Sequence, residues 1–218
     1  MHLILFDVDG TLVDSAHLIL ATMKRAFETE GLAAPSEAAT RGIIGLSLPT
    51  AMARLAPGHD AQTQARLVEA YKAGFSIERD SAPAGLYPGV AEGLARLAAR
   101  DDLLLGVATG KSRRGLDHLV AVQGWDRLFV TRQTADTNPS KPHPGMIHAA
   151  LGETGAQAAR CLMIGDTSYD MAMARAAGVR GLGVSWGYHA TEALADAGAD
   201  WIAPDFAALV ARIEEITA

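Results

Sequence analysis

Five short apolar runs punctuate the chain, at residues 2–9, 103–109, 128–131, 161–166 and 181–186, and each stops at polar or glycine-rich residues. The runs at 2–9, 103–109 and 161–166 are nearly continuously apolar, the pattern of parallel strands covered on both faces. Helical patterns lie between them. Pro88 opens one that runs through Leu94, Leu97 and Ala98, with proline in its favoured first turn. A second runs from about Arg113 through Leu116, Leu119 and Val120, and a third through Met171, Met173 and Ala174, with Gly178 placed to cap it. Strands alternating with helices predict an α/β fold built on a doubly wound parallel sheet.

One region breaks the alternation. Residues 15–80 show no strand pattern, only helical spacing such as Leu18, Ile19, Met23, Ala26 and Phe27, then Met52 and Leu55. That region balances its charges, so the net charge of −6 falls on the rest of the chain. The expected organisation is an α/β core at 1–14 and 81–218 with a helical cap inserted at 15–80. Residues 80–89, rich in proline and glycine, read as the return linker. The acidic balance argues against nucleic-acid or anionic-membrane partners. No apolar run approaches the ~18 residues of a membrane-spanning helix. A single cysteine, Cys161, excludes an intrachain disulfide and suits a reducing compartment. The opening MHLILFDVDG has no basic leader pattern, so the expected location is cytoplasmic.

The chemistry gathers where the runs end. The first closes in Asp7-Val8-Asp9-Gly10-Thr11 and the fourth in Gly165-Asp166-Thr167-Ser168-Tyr169-Asp170. In a doubly wound fold the carboxyl ends of the strands form the ligand crevice. Each segment alone also reads as a turn or a helix cap. Four carboxylates converging there would repel one another, which implies a cation, and oxygen ligands point to Mg²⁺. The second run closes in Thr109-Gly110-Lys111-Ser112-Arg113. A hydroxyl, a glycine amide and a helix N-terminus together can cradle phosphate; a capped turn with a solvated basic face is the alternative. Lys141 stands before Pro142 and just ahead of a helical pattern, and could neutralise both a carboxylate and a phosphate.

In this order the four segments resemble the four motifs of the haloacid dehalogenase-like (HAD) phosphatase superfamily, over essentially the whole chain. The insert resembles the helical cap of the subfamily that includes phosphoglycolate phosphatase, and residues 184–202 resemble the tail of those phosphatases. The resemblance implies a hydrolase that acts on a small phosphorylated metabolite, as a monomer or homodimer. Asp7 would attack phosphorus and become an aspartyl-phosphate. Asp9 would protonate the leaving oxygen and later take a proton from water, so it is expected to hold a proton when substrate arrives. Asp7, the Asp9 carbonyl, Asp166 and Asp170 would hold Mg²⁺. Gly10, Thr109, the Gly110 amide and Lys141 would contact the phosphoryl group.

Rival members of the superfamily fit less well. A haloacid dehalogenase lacks an acid at the position of Asp9, and a phosphonoacetaldehyde hydrolase needs a cap lysine, absent here between Lys24 and Lys72. A β-phosphoglucomutase carries an arginine where Leu48 stands. A pyrophosphatase, or a scaffold that binds without turnover, is a further alternative; a dinucleotide-binding reading fails because Gly181-x-Gly183 lies inside a late run. The cap loop at 41–47 is expected to choose the leaving group, with Arg41 or Arg113 pairing the carboxylate of 2-phosphoglycolate. Ser140 stands where the family commonly has glycine, and Gly145 where aspartate is common. His17, Thr22, Cys161 and the methionines 163, 171 and 173 are read as structural. Trp186 and Tyr188 are candidates for lining the crevice.

Overall fold

The computed structural model describes residues 1–81 and 84–218. Its sheet contains β1 (His2–Phe6), β4 (Leu103–Thr109), β5 (Thr131–Thr134), β6 (Cys161–Gly165), β7 (Arg180–Val184) and β8 (Trp201–Ala203), all parallel, in the order β5-β4-β1-β6-β7-β8. A separate antiparallel pair joins β2 (Val13–Asp14) to β3 (Gly85–Leu86). Side chains alternate across β1, as the period of a strand requires. Ile4 and Phe6 enter a core layer with α5 (Val90–Ala98), α6 (Arg113–Gln123) and α10 (Phe206–Ile216). Leu3 and Leu5 enter the opposite layer, with α7 (Gly145–Thr154) and α8 (Ser168–Ala176). Helices on both faces explain why these strands read as continuous apolar runs.

The sheet grows outward from β1 in two directions, so its topological switch lies between β1 and β6. Crevices in such sheets open at this point, beyond the carboxyl ends of the strands. After β1 the chain folds into a tight turn in which the Val8 carbonyl accepts from the amides of Thr11, Leu12 and Val13. Asp7 and Asp9 therefore lie beyond the strand rather than within it.

Residues 16–81 contain helices alone: α1 (Ala16–Thr29), α2 (Glu37–Arg41), α3 (Leu48–Leu55) and α4 (Ala61–Ser81). They enclose their own apolar cluster, which includes Met23, Phe27, Met52 and Leu67. The linker expected at 80–89 falls partly outside the described residues, and its described part includes β3. One strand expectation needs correction, and one strand was not expected. The run at 128–131 is not the strand: Phe129 packs edge-on against Trp125, at 5.6 Å between ring centroids, and β5 begins at Thr131. β5 is an edge strand, and its polar sequence TRQT hides it from an apolar search. β8 escaped notice because three residues are too short to display a period. Among the described residues no helix is long and apolar enough to cross a membrane.

Candidate active site

Asp7 follows β1 and Asp166 follows β6, and these neighbouring strand ends bring them together across 159 positions of sequence. Carboxylate oxygens of Asp7, Asp166 and Asp170 all lie within 4.8 Å of one another, and all three residues are buried. Lys141 is fully enclosed between two of them, with Nζ 3.0 Å from Asp7 Oδ1 and 2.6 Å from Asp170 Oδ1. Burial alone would lower the lysine's pKa, but Asp170 and Asp7 outweigh it and hold the ammonium above its ordinary value. Burial pushes Asp7 up to about 6, with Lys141 opposing and Asp170 adding. Burial, then Asp7 and Asp170, raises Asp166 well above the usual carboxylate range.

The partners divide the three acids by role. Asp170 is satisfied on both oxygens: Oδ1 takes Lys141, and Oδ2 accepts from the Thr167 amide and hydroxyl in a capping box that opens α8. Asp166 accepts from Thr11 Oγ1 at 3.0 Å and the Tyr188 amide at 2.9 Å. Among the described residues, neither oxygen of Asp7 has a well-aligned hydrogen-bond partner, and its close neighbour is Lys141 in an ion pair. Fully ionised, three carboxylates against one ammonium would leave two negative charges in a buried pocket. A buried cluster of carboxylate oxygens with spare coordinating capacity on Asp7 fits a hard divalent cation such as Mg²⁺. Gly10 leaves room for this arrangement, because a Cβ there would collide with the Asp166 carboxylate, and its φ of 91° suits only glycine comfortably.

Asp9 is half-buried and turns toward a cavity of about 600 Å³ between the strand ends and the helical segment. Lys111 Nζ lies 2.8 Å from each Asp9 oxygen, and Ser15 Oγ donates to Oδ1 at 2.6 Å. Both are donors suited to a carboxylate. Thr109, Gly110 and Lys111 line the same cavity. Gly110 permits the closest approach of the cap loop: a Cβ there would sit 2.5 Å from the Gly45 carbonyl oxygen and 2.7 Å from that of Leu46.

Asp7, Asp9, Gly10, Thr109, Gly110, Lys141, Asp166 and Asp170 thus gather at one end of the sheet. The two arginines do not join them. Arg113 is turned outward, its Nε pairing with Asp117 at 2.9 Å one helical turn on. Arg41 ends α2 and does not line the cavity. The cations that do are Lys111, Lys72 and Arg114. Of the two aromatic candidates, Trp186 donates to the Thr11 carbonyl and packs near Tyr87 and Phe206. Tyr188 contacts the site from behind, its amide on Asp166 and its hydroxyl 3.1 Å from the Ser15 amide. Lys111 is a cavity residue that the sequence did not single out, since a lysine in a polar turn looks solvated. Its position directly after the Thr109-Gly110 cradle was the available signal.

Fold and site together define a hydrolase of α/β fold with a buried acidic cluster at the end of a central parallel strand. The chain belongs to the haloacid dehalogenase-like hydrolases, whose family model matches residues 4–184. It is 34% identical over 212 residues to a Dickeya dadantii protein named "Probable phosphatase IndB", covering 95% of this chain and 91% of the relative. It is 33% identical over 215 residues to a Yersinia pestis phosphoglycolate phosphatase, with coverage of 95% and 91%. The crystal structure of a Pseudomonas syringae hydrolase matches the fold with a TM-score of 0.88 at 26% identity, over 100% of both chains.

Proposed function

We propose that this protein is a Mg²⁺-dependent phosphatase that hydrolyses a phosphate monoester through an aspartyl-phosphate on Asp7. The observation that carries this reading is the buried Asp7 carboxylate, clustered with Asp166 and Asp170, with Lys141 beside it and no well-aligned hydrogen bond on either oxygen among the described residues. A carboxylate so placed is free to act as a nucleophile. One Asp7 oxygen attacks phosphorus, the bond from phosphorus to the leaving oxygen breaks, and that oxygen takes a proton from Asp9. Water then attacks phosphorus and gives a proton to Asp9, while the aspartyl P–O bond breaks and restores the Asp7 carboxylate. Asp9 must shed Lys111 to carry a proton, and the incoming phosphate is a competing anion for that ammonium. Thr109 and the Gly110 amide offer donors to the phosphoryl oxygens, and Lys141 neutralises charge beside them. Held by Asp7, Asp166 and the Asp9 carbonyl, with Asp170 behind, Mg²⁺ would supply the remaining charge neutralisation when bound.

Relatives named phosphoglycolate phosphatase make 2-phosphoglycolate the first ester to assay. With Arg41 and Arg113 outside the cavity, Lys111, paired with Asp9 on the cavity wall, is the cation placed to meet a short carboxylate. The test is phosphate release with Mg²⁺ over a panel that also includes pyrophosphate, β-glucose 1-phosphate and p-nitrophenyl phosphate. Acid-quenched protein should carry phosphate on the peptide containing Asp7. Release that survives EDTA, or a phosphoryl group on another residue, would overturn the mechanism.

A further inference from the structure

The cavity has two unlike ends. At the sheet end stand Asp7, Asp9, Thr109 and Lys111. The helical segment supplies buried Ile19, Met23, Ile44 and Val68, with Tyr71 and Phe75 one helical turn apart on α4. Those two rings stack, with centroids 5.8 Å apart at 27°. Lys111 Nζ marks the junction, 2.8 Å from Asp9 and 5.3 Å from the Phe75 ring centroid. The charges farther out on the lining, Lys72, Arg114 and Asp136, are all solvent-exposed. Tyr71 Oη makes no hydrogen bond among the described residues, although burial, and after it the Asp9 charge, raises the phenol's pKa above its ordinary value. A donor of this kind on an apolar wall is a place for one polar group of a ligand.

We infer that this cavity takes phosphate monoesters whose leaving alcohol is a ring-sized, mainly apolar body carrying a polar substituent, with Phe75 and Tyr71 as the specificity-determining residues. The inference rests on the phosphatase reading and names its substrate class. A volume of about 600 Å³ falls in the middle of the ~300–1,000 Å³ range of sites for larger ligands. A two-carbon acid phosphate would reach Lys111 but leave the Tyr71–Phe75 wall facing water. A ring set against that wall removes apolar surface from water and brings a substituent within reach of the Tyr71 hydroxyl.

Non-hydrolysable phosphonates separate this inference from turnover. Calorimetric titration of the Mg²⁺-loaded protein would use phosphonoacetate, benzylphosphonate and a hydroxyl-substituted benzylphosphonate. Benzylphosphonate should bind at least tenfold more tightly than phosphonoacetate. Phe75→Ala should remove most of that preference, leaving phosphonoacetate within about twofold, and Phe75→Leu should fall between. Tyr71→Phe should abolish any gain from the hydroxyl substituent and leave plain benzylphosphonate unchanged. Equal or tighter binding of phosphonoacetate, equal weakening of both ligands by Phe75→Ala, or no binding of either aryl phosphonate overturns the inference. The matching esters then judge the parent reading. If the phosphonates rank as expected but neither benzyl phosphate nor 2-phosphoglycolate releases phosphate, the chamber stands and the phosphatase reading falls. If 2-phosphoglycolate is the faster ester, the reaction stands and the chamber inference falls.

Discussion

Lys141 is shared by Asp7 and Asp170 in a pocket from which its side chain is wholly withdrawn from solvent. Removing one partner of a buried ion pair strands the others, at about 3–5 kcal/mol. Lys141→Met should therefore lower the unfolding free energy by an amount of that order, read as a lower denaturant midpoint, and added Mg²⁺ should restore part of it; an unchanged midpoint would show that the triad tolerates its own charge. Asp7→Asn tests chemistry instead. Phosphate release should fall at least ~10³-fold with the circular dichroism spectrum unchanged. Asp7 and Asp166 were legible in sequence because each closes an apolar run, and a buried strand delivers the residues after it to one edge of the sheet. Lys111 was not legible as a site residue, because its partner Asp9 is 102 positions away and only tertiary structure joins them. Arg113 carried a readable warning: Asp117 stands four residues on, the spacing of a surface ion pair along a helix.

At the scale of elements, strands and loops differ in how well they announce themselves. β6 is buried at every position and reads from sequence as a run of apolar residues. Its first residue, Cys161, has its thiol pushed up to about 12 by burial. A raised pKa means very little thiolate at pH 8, so thiol reagents should label the native protein only as fast as it opens, and rapidly in denaturant. Edge strand β5 is polar, β8 is short, and α4 shows its aromatic pair without showing which way the pair faces. The loop after β4 meets the cap loop at Gly110, where a Cβ would strike two backbone carbonyls that cannot rotate aside. Gly110→Ala should thus cost about 1–3 kcal/mol of stability, as overpacking does, and lower kcat/KM more than tenfold. Equal kcat/KM in the variant would mean that the cap loop moves without consequence for the site.

At the scale of the whole molecule, the site depends on contacts between segments far apart in the chain. Asp7 follows the first strand and Asp166 follows the fourth of the core, and helices α1–α4 inserted between them bring Phe75 over Lys111. Sequence periodicity reports which elements form, but the meeting of β1 with β6 comes from the crossover order of the sheet, which no local pattern encodes. A divalent cation bound by Asp7 and Asp166 would tie those two strand ends together in the folded state alone. Ligands that bind only the native state stabilise it by mass action, by about 2.7 kcal/mol at a hundredfold excess over Kd. Millimolar Mg²⁺ should consequently raise the Tm by several degrees in a chain of this size, and EDTA should reverse the rise. Asp166→Asn should abolish the response while the variant still unfolds cooperatively, because its fold rests on the two apolar layers rather than on the acid. Surface binding of Mg²⁺ would raise the Tm of both proteins alike, and that outcome would remove the cation from the carboxylate cluster.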